Sequence, residues 1–188
     1  MRLFIAIALE ESLRKSLADL QSELKRTGAD VRYVAPENIH LTMRFLGEVD
    51  EQYLPSLETL LKSVAGEHVA FKSELRELGA FPRLASPRVI WVGCQEINAP
   101  GKLLQIYQGL ERGLLNLGFP PDDHGFSPHI TIGRTKSSGG RAALVRFLQE
   151  ETGYVGGVQT VREVTLFQSQ LHPTGPIYSV VVAAPLKN

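Results

Sequence analysis

The sequence predicts an α+β fold in which two similar lobes share a central cleft. The tripeptide His40-Leu41-Thr42 returns as His129-Ile130-Thr131, and the same order of strand, helix and motif strand leads to each copy. The first histidine lies 36 residues after the phenylalanine of the opening strand, and the second lies 40 residues after the start of the strand that opens the second half. This spacing predicts an internal duplication, about 1–87 and 88–188, within a single domain whose lobes interleave.

The first half begins with a nearly unbroken apolar run over 3–9, which predicts a strand buried on both faces. Leucines from Leu13 to Leu24 follow at spacings of four, three and four, the pattern of one apolar helix stripe, and Gly28 fits as its cap. The remaining predicted elements are a short strand over 31–34, a turn over 36–38, the motif strand over 39–46, a helix over 54–64, a strand over 69–78 and a loop over 79–87.

The second half repeats this plan from Arg88 onward. A buried strand over 89–93 precedes a helix whose apolar stripe runs from Leu103 to Leu117. A turn-rich segment over 119–125 then leads into the second motif. A helix over 142–148, a strand over 158–168 and a closing strand over 177–184 complete the prediction.

Composition excludes several classes of protein. Twenty basic residues balance twenty acidic ones, so no global field is available to hold a long nucleic acid, and contact with RNA is expected only locally. Cys94 is the single cysteine, which excludes an intrachain disulfide and a cysteine-based zinc site. The opening apolar run is broken by Glu10 and Glu11, too soon for a secretory segment. We therefore expect a cytoplasmic protein without membrane spans.

The two tripeptides carry the chemistry. In a strand, residues two apart point to the same face, so His40 can project with Thr42, and His129 with Thr131. One such tripeptide means little, but two copies at matching places in two halves favour a joint site. Two imidazoles and two hydroxyls supply an acid, a base and neutral hydrogen-bond donors, a set that suits a phosphate.

Competing sites fit the sequence less well. Two histidines with two threonines lack the third ligand of a catalytic zinc site, so no metal or other cofactor is expected. The sequence has no Gly-x-Ser-x-Gly elbow and no glycine-rich phosphate loop. His68, His124 and His172 lie in turns or beside proline, where an exposed imidazole is unremarkable, although His124 is close to the second motif.

Two arginines follow the motifs. Strict alternation places Arg44 on the face of His40. There its side chain could reach the bound phosphate or simply be solvated. The same rule turns Arg134 away from His129, unless a bulge at Gly133 changes the register or the strand ends and the side chain curls back.

The segments Asn38-Ile39-His40-Leu41-Thr42-Met43-Arg44-Phe45-Leu46-Gly47 and Ser127-Pro128-His129-Ile130-Thr131-Ile132-Gly133-Arg134 resemble the two-histidine phosphoesterases, specifically the RNA 2′,3′-cyclic phosphodiesterases, also called 2′-5′ RNA ligases. The opening strand, the strand after Arg88 and the segment Gly175-Pro176-Ile177-Tyr178 are also similar to that family. The resemblance implies a bilobal fold, with a mainly antiparallel sheet and flanking helices in each pseudo-symmetric half.

The resemblance also implies roles for individual residues. His40, Thr42, His129 and Thr131 take the catalytic places, and Arg134 matches an arginine that binds substrate, which favours the bulged or curled-back option. The family's usual assignment makes His129 the base that activates water and His40 the acid on the 3′ oxygen, leaving a 2′-phosphate. Sequence symmetry alone does not choose between the two histidines.

The function implied by this resemblance is that of a metal-independent hydrolase, without cofactor, that acts as a monomer on RNA ends or nucleotides bearing a 2′,3′-cyclic phosphate. Run backwards, the same site would join a 5′-hydroxyl to the cyclic phosphate in a 2′-5′ linkage. Two alternatives stay open. One is hydrolysis of a small nucleotide such as ADP-ribose cyclic phosphate. The other is a non-catalytic module that binds RNA ends, although the aromatic residues form no cluster in the sequence to stack bases.

Overall fold

A computed structural model describes residues 1–123, 125–173 and 175–188. In chain order its helices and strands are β1 (Arg2–Ala8), α1 (Glu11–Lys25), β2 (Val31–Tyr33), β3 (His40–Glu48), α2 (Leu54–Ala65), β4 (Phe71–Arg83), β5 (Ser86–Ile97), α3 (Lys102–Asn116), β6 (His129–Thr135), α4 (Arg141–Glu150), β7 (Val155–Val161), β8 (Glu163–His172) and β9 (Gly175–Pro185). A 3₁₀ turn over Pro36–Asn38 leads directly into β3. No helix in these ranges has the length and apolar character that crossing a membrane requires.

The strands form two antiparallel sheets, which confirms the predicted α+β class. Sheet A has the order β3-β1-β8-β9, and sheet B has the order β2-β6-β5-β4-β7. In each sheet the motif strand lies beside the apolar strand that opens its half of the chain, β3 beside β1 and β6 beside β5. Each sheet also takes strands from the other half, since β4 belongs to sheet B while β8 and β9 belong to sheet A. A duplication boundary near residue 87 stays a prediction.

Helices cover each sheet on one side and form the core together with the buried faces of the strands. Helix α2 packs against β8 and β9 of sheet A, and α1 and α4 pack against β7 and β4 of sheet B. The leucine stripe predicted for α1 is buried from Leu13 to Leu24. Burial of this stripe stabilises the helix more than its intrinsic propensity does.

Two predicted boundaries were wrong. The segment 79–87 is a hairpin rather than a loop, because Pro82 and Pro87 lie opposite each other at the end of the β4–β5 ladder, where a missing N–H interrupts little pairing. The predicted strand over 158–168 is two strands, β7 and β8, separated only by Arg162. These strands join different sheets, and the sequence places no turn signal between them.

An ion pair of low exposure connects the first motif strand to α3, a helix from the second half of the chain. The Nε of Arg44 donates to the Oε1 of Glu111 on α3 at 2.5 Å, and the two side chains are 10% and 15% exposed. Arg44 also donates to the carbonyl of Pro120, and the other carboxylate oxygen of Glu111 accepts from the backbone N–H of Asp122. The pair thereby holds the segment that follows α3.

Sheet B accommodates a large side chain next to the second motif. Trp91 pairs with Thr131 on one side and with Gly79 on the other, and its indole covers Gly79. A Cβ at Gly79 would lie 2.2 Å from the Cζ2 of Trp91, a distance that no folded arrangement tolerates without movement. The indole also contacts the ring of His129, with a centroid distance of 6.3 Å.

Gly79→Ala should therefore destabilise the protein, by about 1–3 kcal/mol, because the added methyl overpacks the indole. Urea denaturation measures this loss. Gly153→Ala is the matched control, since a Cβ there meets nothing within 4 Å. Equal stability of the two variants would contradict the packing that we describe.

Candidate active site

The motif residues alternate between two environments. On β3, His40 and Thr42 are partly exposed, whereas Leu41 and Met43 are buried. The second motif on β6 repeats this pattern, with His129 and Thr131 partly exposed and the two intervening isoleucines buried. The burial pattern thus follows the alternation that the sequence predicts, and the polar side chains are on the accessible face of each sheet.

A β-bulge follows each threonine. In sheet A, Ala6 pairs with Thr42 but Ile5 pairs with Arg44, so Met43 is the extra residue. In sheet B, Trp91 pairs with Thr131 but Ile90 pairs with Gly133, and Ile132 is extra. Each bulge shifts the alternation by one residue for the positions that follow it, up to a second irregularity after Phe45 in β3.

The bulge determines where Arg134 lies. It pairs with Val89 and with Arg32, and it is exposed, whereas Ile130 and Ile132 are fully buried. The shifted register returns Arg134 to the face of His129, which is the bulged option considered for this residue. The register is the observation that decides between the options.

A buried side chain secures this bulge. Gln21 on α1 is 2% exposed, and its amide donates to the carbonyls of Val34 and Ile132 at 2.8 and 2.9 Å. The carbonyl of Ile132 also accepts from the backbone N–H of Val34 at 3.0 Å, so Gln21 adds a second hydrogen bond at the extra residue and ties α1 to it. Nothing in the local sequence indicates that Gln21 supports the second motif.

The bulge after the first motif has the opposite effect on Arg44. Arg44 pairs with the buried Ile5, and its side chain reaches Glu111. It therefore neither points toward the bound phosphate nor lies on a solvated surface. Phe45 is instead returned to the accessible face, where it pairs with Phe4 and remains 63% exposed.

The two imidazoles are held in the same way. The Nδ1 of His40 lies 2.7 Å from the carbonyl oxygen of Asn38, and the Nδ1 of His129 lies 2.7 Å from that of Ser127. A carbonyl only accepts, so Nδ1 carries the proton in both rings. In the neutral form, each Nε2 therefore has a free lone pair with which to accept or return a proton.

The surroundings of His40 are more apolar than its motif suggests. Its ring contacts Phe4 at a centroid distance of 4.8 Å and the edge of Tyr178 at 5.4 Å. Burial lowers the pKa of His40 from its ordinary value of 6.5, and the hydrogen bond to the carbonyl of Asn38 opposes this shift. The free protein therefore favours a neutral imidazole at this position.

The two motif strands come from different sheets but lie side by side, with Cα atoms of β3 and β6 within 8 Å. Tyr178 of sheet A gives a second connection. Burial raises its pKa, and the charges of Arg2 and Arg134 oppose that rise, so Arg134 of sheet B is near a ring that contacts His40. His40, Tyr178 and Arg134 thus belong to one region.

Sequence reasoning missed an aromatic row across sheet A. Phe45, Phe4, Phe167 and Val180 are partners in register on four adjacent strands. The rings of Phe4 and Phe167 stack at 5.3 Å, and the outer members Phe45 and Val180 are 63% and 61% exposed. These residues are far apart in the sequence. The absence of an aromatic cluster in the sequence therefore did not predict whether aromatic rings meet in the cleft.

The other histidines lie elsewhere. His68 is mostly buried and its carbonyl binds the backbone of Lys187, while His172 is exposed at the end of β8. His124 is outside the described residues. Within the described ranges, no group of three or more histidine, cysteine or acidic side chains is arranged to hold a metal ion.

Comparisons with known proteins agree with this geometry. The family model described as LigT-like phosphoesterase matches residues 7–91 and 96–178. An RNA 2′,3′-cyclic phosphodiesterase of Aeropyrum pernix is 39% identical over 88% of this chain and 92% of its own. The enzyme of the same name from Methanothermobacter thermautotrophicus is 33% identical over 95% of each chain.

A solved structure has the same fold. The crystal structure of a protein from Thermus thermophilus superimposes with a TM-score of 0.81 at 30% identity, covering 100% of this chain and 98% of the other. The family model, the relatives and this structure agree along nearly the whole chain, and the chain belongs to the LigT-like phosphoesterase family.

Proposed function

We propose that this protein hydrolyses 2′,3′-cyclic phosphates at RNA ends to 2′-phosphates, with His40 and His129 as its acid and base. The observation that carries the proposal is the matched geometry of the two histidines. Each donates through Nδ1 to the carbonyl two residues before it, and each precedes a threonine on the same face. Relatives named RNA 2′,3′-cyclic phosphodiesterase support the substrate class.

The reaction needs one proton removed and one supplied. His129 accepts a proton from water as the water oxygen attacks phosphorus, and His40 donates a proton to the 3′ oxygen as its bond to phosphorus breaks. Since burial favours neutral His40 in the free protein, the anionic substrate has a second role. Its charge raises the pKa of His40 and so places the required proton on the acid.

The phosphate is held by neutral and charged donors. Thr42 and Thr131 donate hydrogen bonds to the non-bridging oxygens, and Arg134 supplies positive charge where negative charge develops. Arg134 has no ion-pair partner among the described residues, which leaves its guanidinium available to an anion.

The aromatic row provides a surface for the base of the terminal nucleotide. Phe45 exposes a phenyl ring on the face of His40 and lies against Phe4, with a centroid distance of 6.0 Å. An exposed ring on the substrate side of a sheet suits stacking on a nucleobase.

Ligation follows from the same groups. A 5′-hydroxyl in place of water, attacking with its proton taken by His129, would form a 2′-5′ linkage as His40 protonates the 3′ oxygen. This ligation, the monomeric state and a cytoplasmic location stay predictions from the sequence.

Removing either histidine should nearly abolish turnover. His40→Ala and His129→Ala should each slow single-turnover hydrolysis of adenosine 2′,3′-cyclic phosphate by about 10²- to 10⁴-fold. The double variant should lose far less than the product of both effects, because the two groups act as a unit. His172→Ala is the control, since this exposed histidine is at the end of β8. A near-normal rate in either folded variant would remove that histidine from the mechanism.

Hydrolysis by the wild-type protein should persist in excess chelator.

The pKa of His40 should rise when substrate binds. In the free protein the imidazole should lose its proton below pH 6.5, because burial disfavours the charged form. A bound diester keeps one negative charge across this range and favours the imidazolium, so binding takes up a proton and affinity should increase as pH falls. NMR titration of His40 in His129→Ala, with and without the cyclic nucleotide, measures both values. An unchanged or lower pKa in the complex would contradict the proposed acid.

Phe45→Ala should weaken binding of the nucleotide without affecting the fold, since the side chain is 63% exposed. Stacking on one base contributes about 1–3 kcal/mol, so KM for adenosine 2′,3′-cyclic phosphate should rise about tenfold. Phe45→Tyr should restore it. The 2,3-cyclic phosphate of methyl riboside lacks a base and should be hydrolysed equally by all three proteins. An equal loss on that substrate would mean that Phe45 acts otherwise.

A further inference from the structure

A cavity of about 370 Å³ opens beside His40, on the side away from Phe45. The stacked rings of Phe4 and Phe167 form part of its apolar wall, and Tyr178 and Asn38 lie around it. This volume is within the range of small-ligand sites, and the mixture of an apolar wall with a few polar groups is typical of them. The reaction described above uses His40 and leaves the rest of this cavity without a role.

Arg14 is the cation of this cavity. It projects from α1, is half-buried, and makes no side-chain hydrogen bond or ion pair with any described residue. Arg44, which is similarly withdrawn from water, has both a carboxylate and carbonyls as partners. A guanidinium that lines a cavity and has no partner among the described residues is available to pair with an anion there.

The carboxylate at the cavity does not supply this anion. Glu37 also lines the cavity but is exposed and forms no ion pair with Arg14. Water screens an exposed carboxylate more than it screens a half-buried guanidinium. The field inside the cavity is therefore expected to favour a negative group at Arg14.

We propose that this cavity is a second nucleotide subsite, and that Arg14 binds the phosphodiester on the 5′ side of the terminal nucleotide. The inference rests on the proposed function, in which the cyclic phosphate lies at His40 and the terminal base at Phe45. The preceding nucleotide then enters the cavity with its base against the accessible part of Phe167, behind which Phe4 is buried. Such a subsite selects an RNA end over a small cyclic nucleotide.

Three substrates test the subsite step by step. They are adenosine 2′,3′-cyclic phosphate, its 5′-phosphorylated form, and the dinucleotide ApA ending in a 2′,3′-cyclic phosphate. Wild-type kcat/KM should rise about tenfold on addition of the 5′-phosphate, since a charge-assisted hydrogen bond forms, and further with the dinucleotide. The gain should be mainly in KM, because Arg14 does not touch the reacting atoms.

Arg14→Gln should remove this gain and leave the unphosphorylated substrate within about twofold of wild type. Lys15→Gln is the matched control, since it removes the same charge from the next residue, whose side chain is 78% exposed and paired with Asp19. This control should keep the full preference. No gain in wild type, or an equal loss on all three substrates in Arg14→Gln, would overturn the subsite.

Failure of the proposed function gives a different result. If wild type hydrolyses none of the substrates, the function is wrong, and binding then tests the subsite alone. Calorimetric titration compares adenosine 2′-phosphate with the 2′-phosphate of ApA. Tighter binding of the dinucleotide, lost in Arg14→Gln but kept in Lys15→Gln, would support the subsite. Equal binding would overturn it.

Discussion

The β-bulge after each threonine is the constraint on which the cleft depends. Without the bulge in β6, alternation would direct Arg134 into the core beside Ile130 and Ile132, where an unpaired charge is costly. With it, the same strand buries two isoleucines and still presents a histidine, a threonine and an arginine on its other face. Gln21 stabilises this arrangement, because its buried amide adds a second hydrogen bond to the carbonyl of the extra residue, which also accepts from the backbone N–H of Val34.

The two bulges also show how a nearly symmetric site acquires a direction. Each histidine is followed, five residues later, by the side chain that the bulge returns to the cleft, and this is Phe45 in one lobe and Arg134 in the other. The acid–base groups are therefore repeated, whereas an aromatic surface and a cation each occur on one side. In the proposed reaction, a substrate with a base at one end and a phosphate at the other binds this pair in one orientation, and that orientation assigns the leaving oxygen to His40.

The sequence predicted the repeated elements of this fold better than their boundaries. Apolar spacing in α1 and the two His-x-Thr tripeptides are local signals, and the structure has a helix and strands there. The division of 155–172 between two sheets depends on pairing with β4 and β1, which are distant in the chain. Periodicity also places Arg44 on the wrong face, since a bulge shows itself only through the register of two strands. The aromatic row was invisible for a similar reason, because its members come from four strands.

The arginines near the cleft differ in whether they have partners within the protein, a difference that the zero net charge does not show. Arg44 has a carboxylate and carbonyl oxygens as partners, and it connects β3 to the segment after α3. Arg14 and Arg134 have no such partners among the described residues; Arg14 lines the cavity beside His40, and the charge of Arg134 acts on Tyr178. The paired Arg44 thus stabilises the scaffold, whereas Arg14 and Arg134 are the cations that the proposed subsites assign to the substrate. In the proposed mode of binding, a protein of balanced charge holds an RNA end at two phosphates without attracting the rest of the RNA, because the field that would hold a long polyanion is absent.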